Sequence, residues 1–233
     1  MAQLLWKAAA NVIRATEKHP FLVDMVNGTL HLDNFRYYVI QDALFLTDFA
    51  TCLTILGTKM QQEMSEDNKN KEASIKRISE LAQGIEDAEK ELHRSFFIQY
   101  NIDASHAMPT PNTLLYTSYM IRVVSTRPYT EGLAVLLPCF WVYMHIGKCM
   151  LQLRDDLGDS AVRPASFDAW IDMYAGEDFE TEVTDYIAIV DEAIAANNDD
   201  DTFKKMQEHF IMCCKLEYMF WSQAQSLMDW PGF

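Results

Sequence analysis

Apolar residues recur at intervals of three and four along most of this chain, and strongly alternating, strand-like runs are absent. That is the helical period, and it confines the chain to helices packed on helices. Gly and Pro, the residues that interrupt long elements, number only 8 and 7 in 233 residues. The spacing predicts helices over roughly 3–18, 32–62, 70–100, 111–127, 129–157, 165–175, 177–197 and 200–229. Turn signals separate them at His19-Pro20, Asn27-Gly28, Pro109-Thr110-Pro111, Arg127-Pro128, Gly158 and Asn197 to Asp201. The most polar stretch, 61–71, would suit a linker, but the helices flanking it are too amphipathic to stand alone. A single all-α domain over residues 1–233, a bundle of long packed helices, is therefore expected.

Composition narrows the function. Hydrophobic residues make up 49%, enough for a sizeable core, and aromatics 12% with 13 Met, enough to line an apolar cavity as well. The formal net charge is −15, and no basic run exceeds two residues. Nucleic acid and anionic membrane both need a positive footprint, so neither is an expected partner. Five cysteines, an odd count with no C-x-x-C pair, support neither a disulfide framework nor a zinc site. A reducing, cytoplasmic location is the simpler reading. No unbroken apolar run reaches the ~18 residues of a membrane span. The spacing of Leu5, Ala8, Val12 and Ala15, with Glu17 behind them, reads as a first packed helix rather than a targeting segment.

Three positions break the binary pattern. Asp42 falls in the apolar stripe of Phe35, Tyr38, Val39, Phe45, Leu46 and Phe49. Glu217 falls among Phe210, Cys213, Cys214, Phe220, Trp221 and Ala224. Cys139 follows Pro138, which costs on the order of 3 kcal/mol inside a regular helix and normally kinks it. Tyr143 stands one turn later on the same face as Cys139. Burying a carboxylate costs several kcal/mol unless partners compensate, so two such residues beside a strained cysteine suggest chemistry. Taken singly, each has a plainer reading. A buried carboxylate is often paired with a base or a helix terminus, and a buried cysteine often packs as a small hydrophobe. Tyr143 and Tyr174 fit equally well as core residues with satisfied hydroxyls.

Other site types find no footing. A di-iron bundle needs Glu-x-x-His pairs, whereas His93 has Lys90 at that offset and Glu89 one residue further. The six histidines are not spaced to share a metal, and His145 reads as a core or rim residue. Phosphate-binding glycine loops and the G-x-S-x-G elbow are missing. Cys213 and Cys214 read as packing. No metal and no cofactor are expected.

Several blocks carry a resemblance. HPFLVDMVNGTLHLDNFRYYVIQDALFL (His19 to Leu46), YTSYM (Tyr116 to Met120), LLPCFWVY (Leu136 to Tyr143), AWIDMYAGEDF (Ala169 to Phe179) and LEYMFW (Leu216 to Trp221) follow one another in a known order. The chain closely resembles the thiaminase II, or TenA, family. That resemblance implies the heme-oxygenase-like helical fold and hydrolysis of thiamin or its degraded aminopyrimidines in thiamin salvage, with a homotetrameric assembly. It further implies that Asp42 binds the aminopyrimidine, Cys139 is the nucleophile and Glu217 the proton donor. Tyr143 and Tyr174 would line the substrate site, Tyr116 would support Glu217, and Phe45 and Phe220 would add aromatic wall. Phe45 is a departure, since many members carry tyrosine there. It is also the one motif-level hint for an alternative, a non-catalytic pyrimidine-binding or regulatory protein on the same scaffold. A heme or metal oxygenase of the same fold class, with His19 as axial ligand, is a weaker rival.

Overall fold

The computed structural model describes residues 1–85, 90–197 and 199–232, except for the side chains of residues 90–93 and 159. The described residues contain helices and no strand. In chain order they are α1 (Ala2–Ala8), α2 (Ala10–Thr16), α3 (Pro20–Asn27), α4 (Leu32–Glu63), α5 (Lys71–Gly84) and α6 (Lys90–Tyr100). There follow α7 (Pro111–Thr126), α8 (Tyr129–Leu157), α9 (Ala165–Ala175), α10 (Glu177–Asn197) and α11 (Asp200–Ser226). The helix expected over 70–100 is thus α5 and α6; residues 86–89 between them, Glu89 included, lie outside the described residues, as does the His93 side chain.

Three boundaries differ from the sequence expectation, each for a local reason. The helix expected over 3–18 breaks at Ala9, whose backbone (φ −92°, ψ 2°) ends one helix and starts the next. Neither Gly nor Pro marks that break. The two turn signals at His19-Pro20 and Asn27-Gly28 turn out to be the ends of one short helix, α3. His19 caps its start by accepting from the Phe21 N–H through Nδ1 at 3.2 Å, and Pro20 occupies the first turn. Gly28 closes it in the left-handed region at φ 73°, where a Cβ would lie 2.1 Å from the Val162 carbonyl oxygen. At the other end of the chain α11 stops at Ser226, because Leu227 turns left-handed at φ 50°.

α8 is the axis of the molecule. It is buried on nearly every side, and α4, α7, α9, α10 and α11 all pack against it. It runs on through Pro138. Proline there removes the N–H that would bond Ala134, and Tyr186 of α10 donates its hydroxyl to the neighbouring Leu133 carbonyl at 3.1 Å. α4 and α8 are each long and apolar enough to cross a membrane by length and composition alone. The most apolar windows of both helices are mostly buried inside the protein, 56% and 72% respectively, as core helices of an all-α protein are. Close approach of α9 to α8 depends on Gly147, where a Cβ would stand 2.5 Å from the Tyr174 carbonyl carbon. Gly147 is one turn beyond Tyr143, so the same contact brings Tyr174 beside Tyr143, with ring centroids 4.9 Å apart.

Candidate active site

α4, α8, α9 and α11 each turn one unusual side chain inward. Asp42 (α4) and Glu217 (α11) are 3% and 1% exposed, so both carboxyl groups are out of bulk water. Asp42 and Cys139 line one narrow crevice with Tyr143, Tyr174, Phe49 and Phe179. Leu46, Ile85 and Phe140 complete its walls. The crevice holds about 10 Å³ of free space, the room of a single water. A flat six-membered ring therefore enters only if the apolar lining swings aside.

Glu217 stands behind this crevice rather than in its wall. The Tyr116 hydroxyl donates to Glu217 Oε1 at 2.6 Å. Burial, opposed by the hydrogen bond from Tyr116 and aided by the nearby Asp42 charge, holds the Glu217 carboxyl at about 8. At neutral pH Glu217 is thus mostly protonated, a carboxylic acid with a proton to give. Among the described residues it has no basic partner, so the reading of it as one half of a buried ion pair fails.

The expected aromatic residues form one continuous wall. Phe45 packs on Tyr116 (4.9 Å between centroids), on Phe220 (5.5 Å) and on Phe49 (5.7 Å). Phe45 thus links Phe49 in the crevice wall to Tyr116, the hydrogen-bond partner of Glu217, and to Phe220. Tyr143 lies 5.1 Å from Trp221 and 4.9 Å from Tyr174. Burial holds the Tyr143 phenol well above its ordinary range, with Tyr38, Glu217 and Asp42 adding to the effect, so it acts as a neutral hydrogen-bonding group.

Position singles out Cys139 among the five cysteines. Burial pushes the Cys52 thiol up to about 12 and holds Cys213 and Cys214 well above their ordinary range; Cys149 is also raised. Cys139 and Cys149 are half-buried, and Cys139 is the one that lines the crevice.

Four side chains escape the sequence reasoning about roles. Trp170 Nε1–H donates to the Tyr38 hydroxyl at 3.2 Å, and Tyr38 donates to the Tyr143 hydroxyl at 3.3 Å. This relay fixes the Tyr143 oxygen at the crevice, yet Tyr38 and Trp170 look like ordinary core aromatics on an apolar stripe. Ile85, just past the end of α5, and Phe179 of α10 likewise close the crevice, and neither breaks the apolar pattern. His19 is committed elsewhere. Its Nδ1 caps α3 and its Nε2–H donates to Ser222 Oγ at 2.9 Å, while burial lowers its pKa to about 4. With both ring nitrogens in use, it has none to offer an iron.

The sequence profile of the TENA/THI-4/PQQC family matches residues 2–227. An aminopyrimidine aminohydrolase of Bacillus subtilis is 33% identical over 226 residues, 96% of this chain and 89% of that protein. Among solved structures, the TenA homologue protein from P. horikoshii OT3 superposes with a TM-score of 0.81 at 24% identity, covering 97% of this chain and 98% of that one. A domain with a heme oxygenase-like fold from Shewanella denitrificans superposes with a TM-score of 0.74 at 10% identity, covering 97% and 93%. The bundle thus has the heme-oxygenase-like fold that the sequence resemblance implied.

Proposed function

The chain belongs to the TENA/THI-4/PQQC family, and from that membership and the geometry of its site we propose that it is an aminopyrimidine aminohydrolase. It converts 4-amino-5-aminomethyl-2-methylpyrimidine to the hydroxymethyl pyrimidine and ammonia, and more slowly cleaves thiamin to hydroxymethyl pyrimidine and thiazole. The observation that carries this reading is a buried acid, Glu217, held at about 8 beside a second carboxylate and behind a crevice that a cysteine opens on. Such an arrangement supplies a proton donor and a nucleophile to the same small space.

Asp42 anchors the substrate through directional hydrogen bonds to the exocyclic amine and adjacent ring nitrogen. The Cys139 thiolate adds to the electron-poor ring, and the displaced electron pair loosens the bond from the methylene carbon to its leaving amine. Glu217 gives its proton to that amine, which departs as ammonia. Water then adds to the methylene carbon, returns a proton to the Glu217 carboxylate, and the Cys139–ring bond breaks to restore the aromatic pyrimidine. Tyr143 and Tyr174 line the ring, and Phe45 and Phe220 back it. Tyr116 positions Glu217.

A reducing, cytoplasmic compartment would keep Cys139 as a thiol, and all five cysteines are unbridged. Self-association would cover exposed apolar residues such as Leu114, Leu115, Met212 and Met219 on α7 and α11, and light scattering on the purified chain measures it. The activity itself is tested by incubating the protein with the aminomethyl pyrimidine and with thiamin, following ammonia and hydroxymethyl pyrimidine. Release of both from the former, with slower release of hydroxymethyl pyrimidine from thiamin, is expected. Tight binding of the hydroxymethyl product without any turnover would instead mark a pyrimidine-binding protein.

A further inference from the structure

A second cluster of reactive side chains lies on α8, about a quarter to a third of a turn round the helix from Cys139. His145 and Cys149 stand one turn apart there, and Glu17, the residue that ends α2, reaches over to them. His145 Nε2 lies 2.8 Å from Glu17 Oε1 and 3.6 Å from Cys149 Sγ. All three atoms fall within 4.8 Å of one another.

Two chemistries use a cysteine, a histidine and a carboxylate at such distances. A nucleophilic relay needs the thiol on one ring nitrogen and the carboxylate on the other, so that the imidazole passes a proton between them. Here both partners address the same nitrogen, Nε2, which cannot take the thiol proton while it is bonded to Glu17. Three donor atoms converging on one point is instead the arrangement of ligands round a cation.

We infer that Glu17, His145 and Cys149 form a zinc site in which a water completes a tetrahedron. One sulfur, one imidazole nitrogen and one carboxylate oxygen make a borderline-soft donor set that suits zinc and disfavours magnesium or calcium. A tetrahedral zinc with ordinary bond lengths sets its ligand–ligand edges at about 3.3–3.6 Å. The nitrogen–sulfur edge is already at that length, and the nitrogen–oxygen edge opens by about half an ångström when a metal replaces the shared proton. The His145 ring is held edge-on to Trp6, with centroids 5.1 Å apart, and Trp6 packs against Trp141 at 4.6 Å, so the imidazole is oriented before any ion arrives. The His145 and Glu17 side chains are 31% and 29% exposed, which leaves a path for the ion and room for the water.

The consequence is mechanical. Glu17 and His145 are 128 residues apart, so a bound zinc clips the end of α2 to the central helix. Zinc binds cysteine as the thiolate, so it displaces the Cys149 proton and binding tightens as pH rises.

The test is a titration of chelator-treated protein with Co2+ and then Zn2+. The wild type is expected to develop a thiolate-to-cobalt charge-transfer band that saturates at one equivalent and is bleached by zinc. Zn2+ is also expected to raise its Tm. The near-isosteric Cys149→Ser variant should lose the band and the Tm shift while circular dichroism stays unchanged. His145→Gln should weaken binding at least tenfold, and Cys139→Ala should keep the band. Absence of the band in the wild type overturns the site, and so does a band that survives Cys149→Ser or vanishes with Cys139→Ala.

Discussion

Two polar regions lie buried between the same three helices, α4, α7 and α11, and they are built on opposite principles. The first joins Gln41, Thr110, Thr113 and Gln223. Thr110 N–H donates to Gln41 Oε1 at 3.0 Å, and its hydroxyl to Gln223 Oε1 at 2.8 Å. Gln223 Nε2 donates to Thr113 Oγ1 at 2.9 Å, and Gln41 Nε2 to the Met108 carbonyl at 3.1 Å. Every member is neutral, and donors and acceptors consume one another. The second region begins at the very next residue, Asp42, and continues through Tyr116 and Glu217. It gathers two carboxyl groups near each other and holds Glu217 protonated. A satisfied neutral network specifies how helices pack, whereas a buried carboxyl that still holds its proton at neutral pH is a candidate general acid. On the proposed function, residues adjacent in sequence on α4 serve structure and chemistry separately.

The sharpest way to separate the two regions is Glu217→Gln. The amide keeps the shape but has no acidic proton, so turnover should fall by about 10²–10⁴. Stability should respond in the opposite direction. The folded-state pKa of Glu217, about 8, lies above its ordinary 4.5, so the folded protein holds more protons than the unfolded chain between those values. Stability therefore falls as pH rises through that window. In the variant, thermal melts from pH 5 to pH 9 should lose this component of the slope; an unchanged slope would mean that Glu217 is not the titrating acid.

Gln223→Leu probes the other side. It leaves Thr110 and Thr113 short of buried partners, and roughly 1–3 kcal/mol of stability should go. Denaturant melts measure that loss, and the kcat of the remaining folded protein should stay within about twofold of wild type. A collapse of kcat at full folding would show the two networks to be one.

Tyr116→Phe removes the hydrogen bond that favours the Glu217 carboxylate. Turnover should fall by about tenfold, the equivalent of ~1.4 kcal/mol. The alkaline limb of the kcat–pH profile, set by loss of the Glu217 proton near 8, should move to higher pH. A merely structural tyrosine would leave that limb in place. Phe45→Tyr should do least. It adds a hydroxyl beside Tyr116 and Phe220, and kcat/KM for the two substrates should change by about fivefold at most, one net hydrogen bond.

The reactive region was legible in outline because it violates pattern. Asp42 and Glu217 sit where apolar residues belong, and Cys139 follows a proline that a regular helix would refuse. The all-helical architecture was legible from period alone. Other features were not, for identifiable reasons. His-Pro and Asn-Gly are turn signals and cap signals alike, so α3 was hidden between them. The break at Ala9 carries no special residue. Tyr38 and Trp170 hold Tyr143 in place while looking like core, and Gly147 reveals its purpose only when α9 lies against it. Glu17 meets His145 and Cys149 only because the fold brings the end of α2, which packs on α11, beside α8.

If the crevice lined by Asp42 and Cys139, with Glu217 behind it, is a hydrolytic centre as proposed, its nucleophile is Cys139. Ammonia release from the aminomethyl pyrimidine by Cys139→Ala, measured beside the wild type on protein verified as folded, tests it most directly. The wild type should release ammonia steadily and the variant none above background. Wild-type rates in folded Cys139→Ala would contradict that assignment.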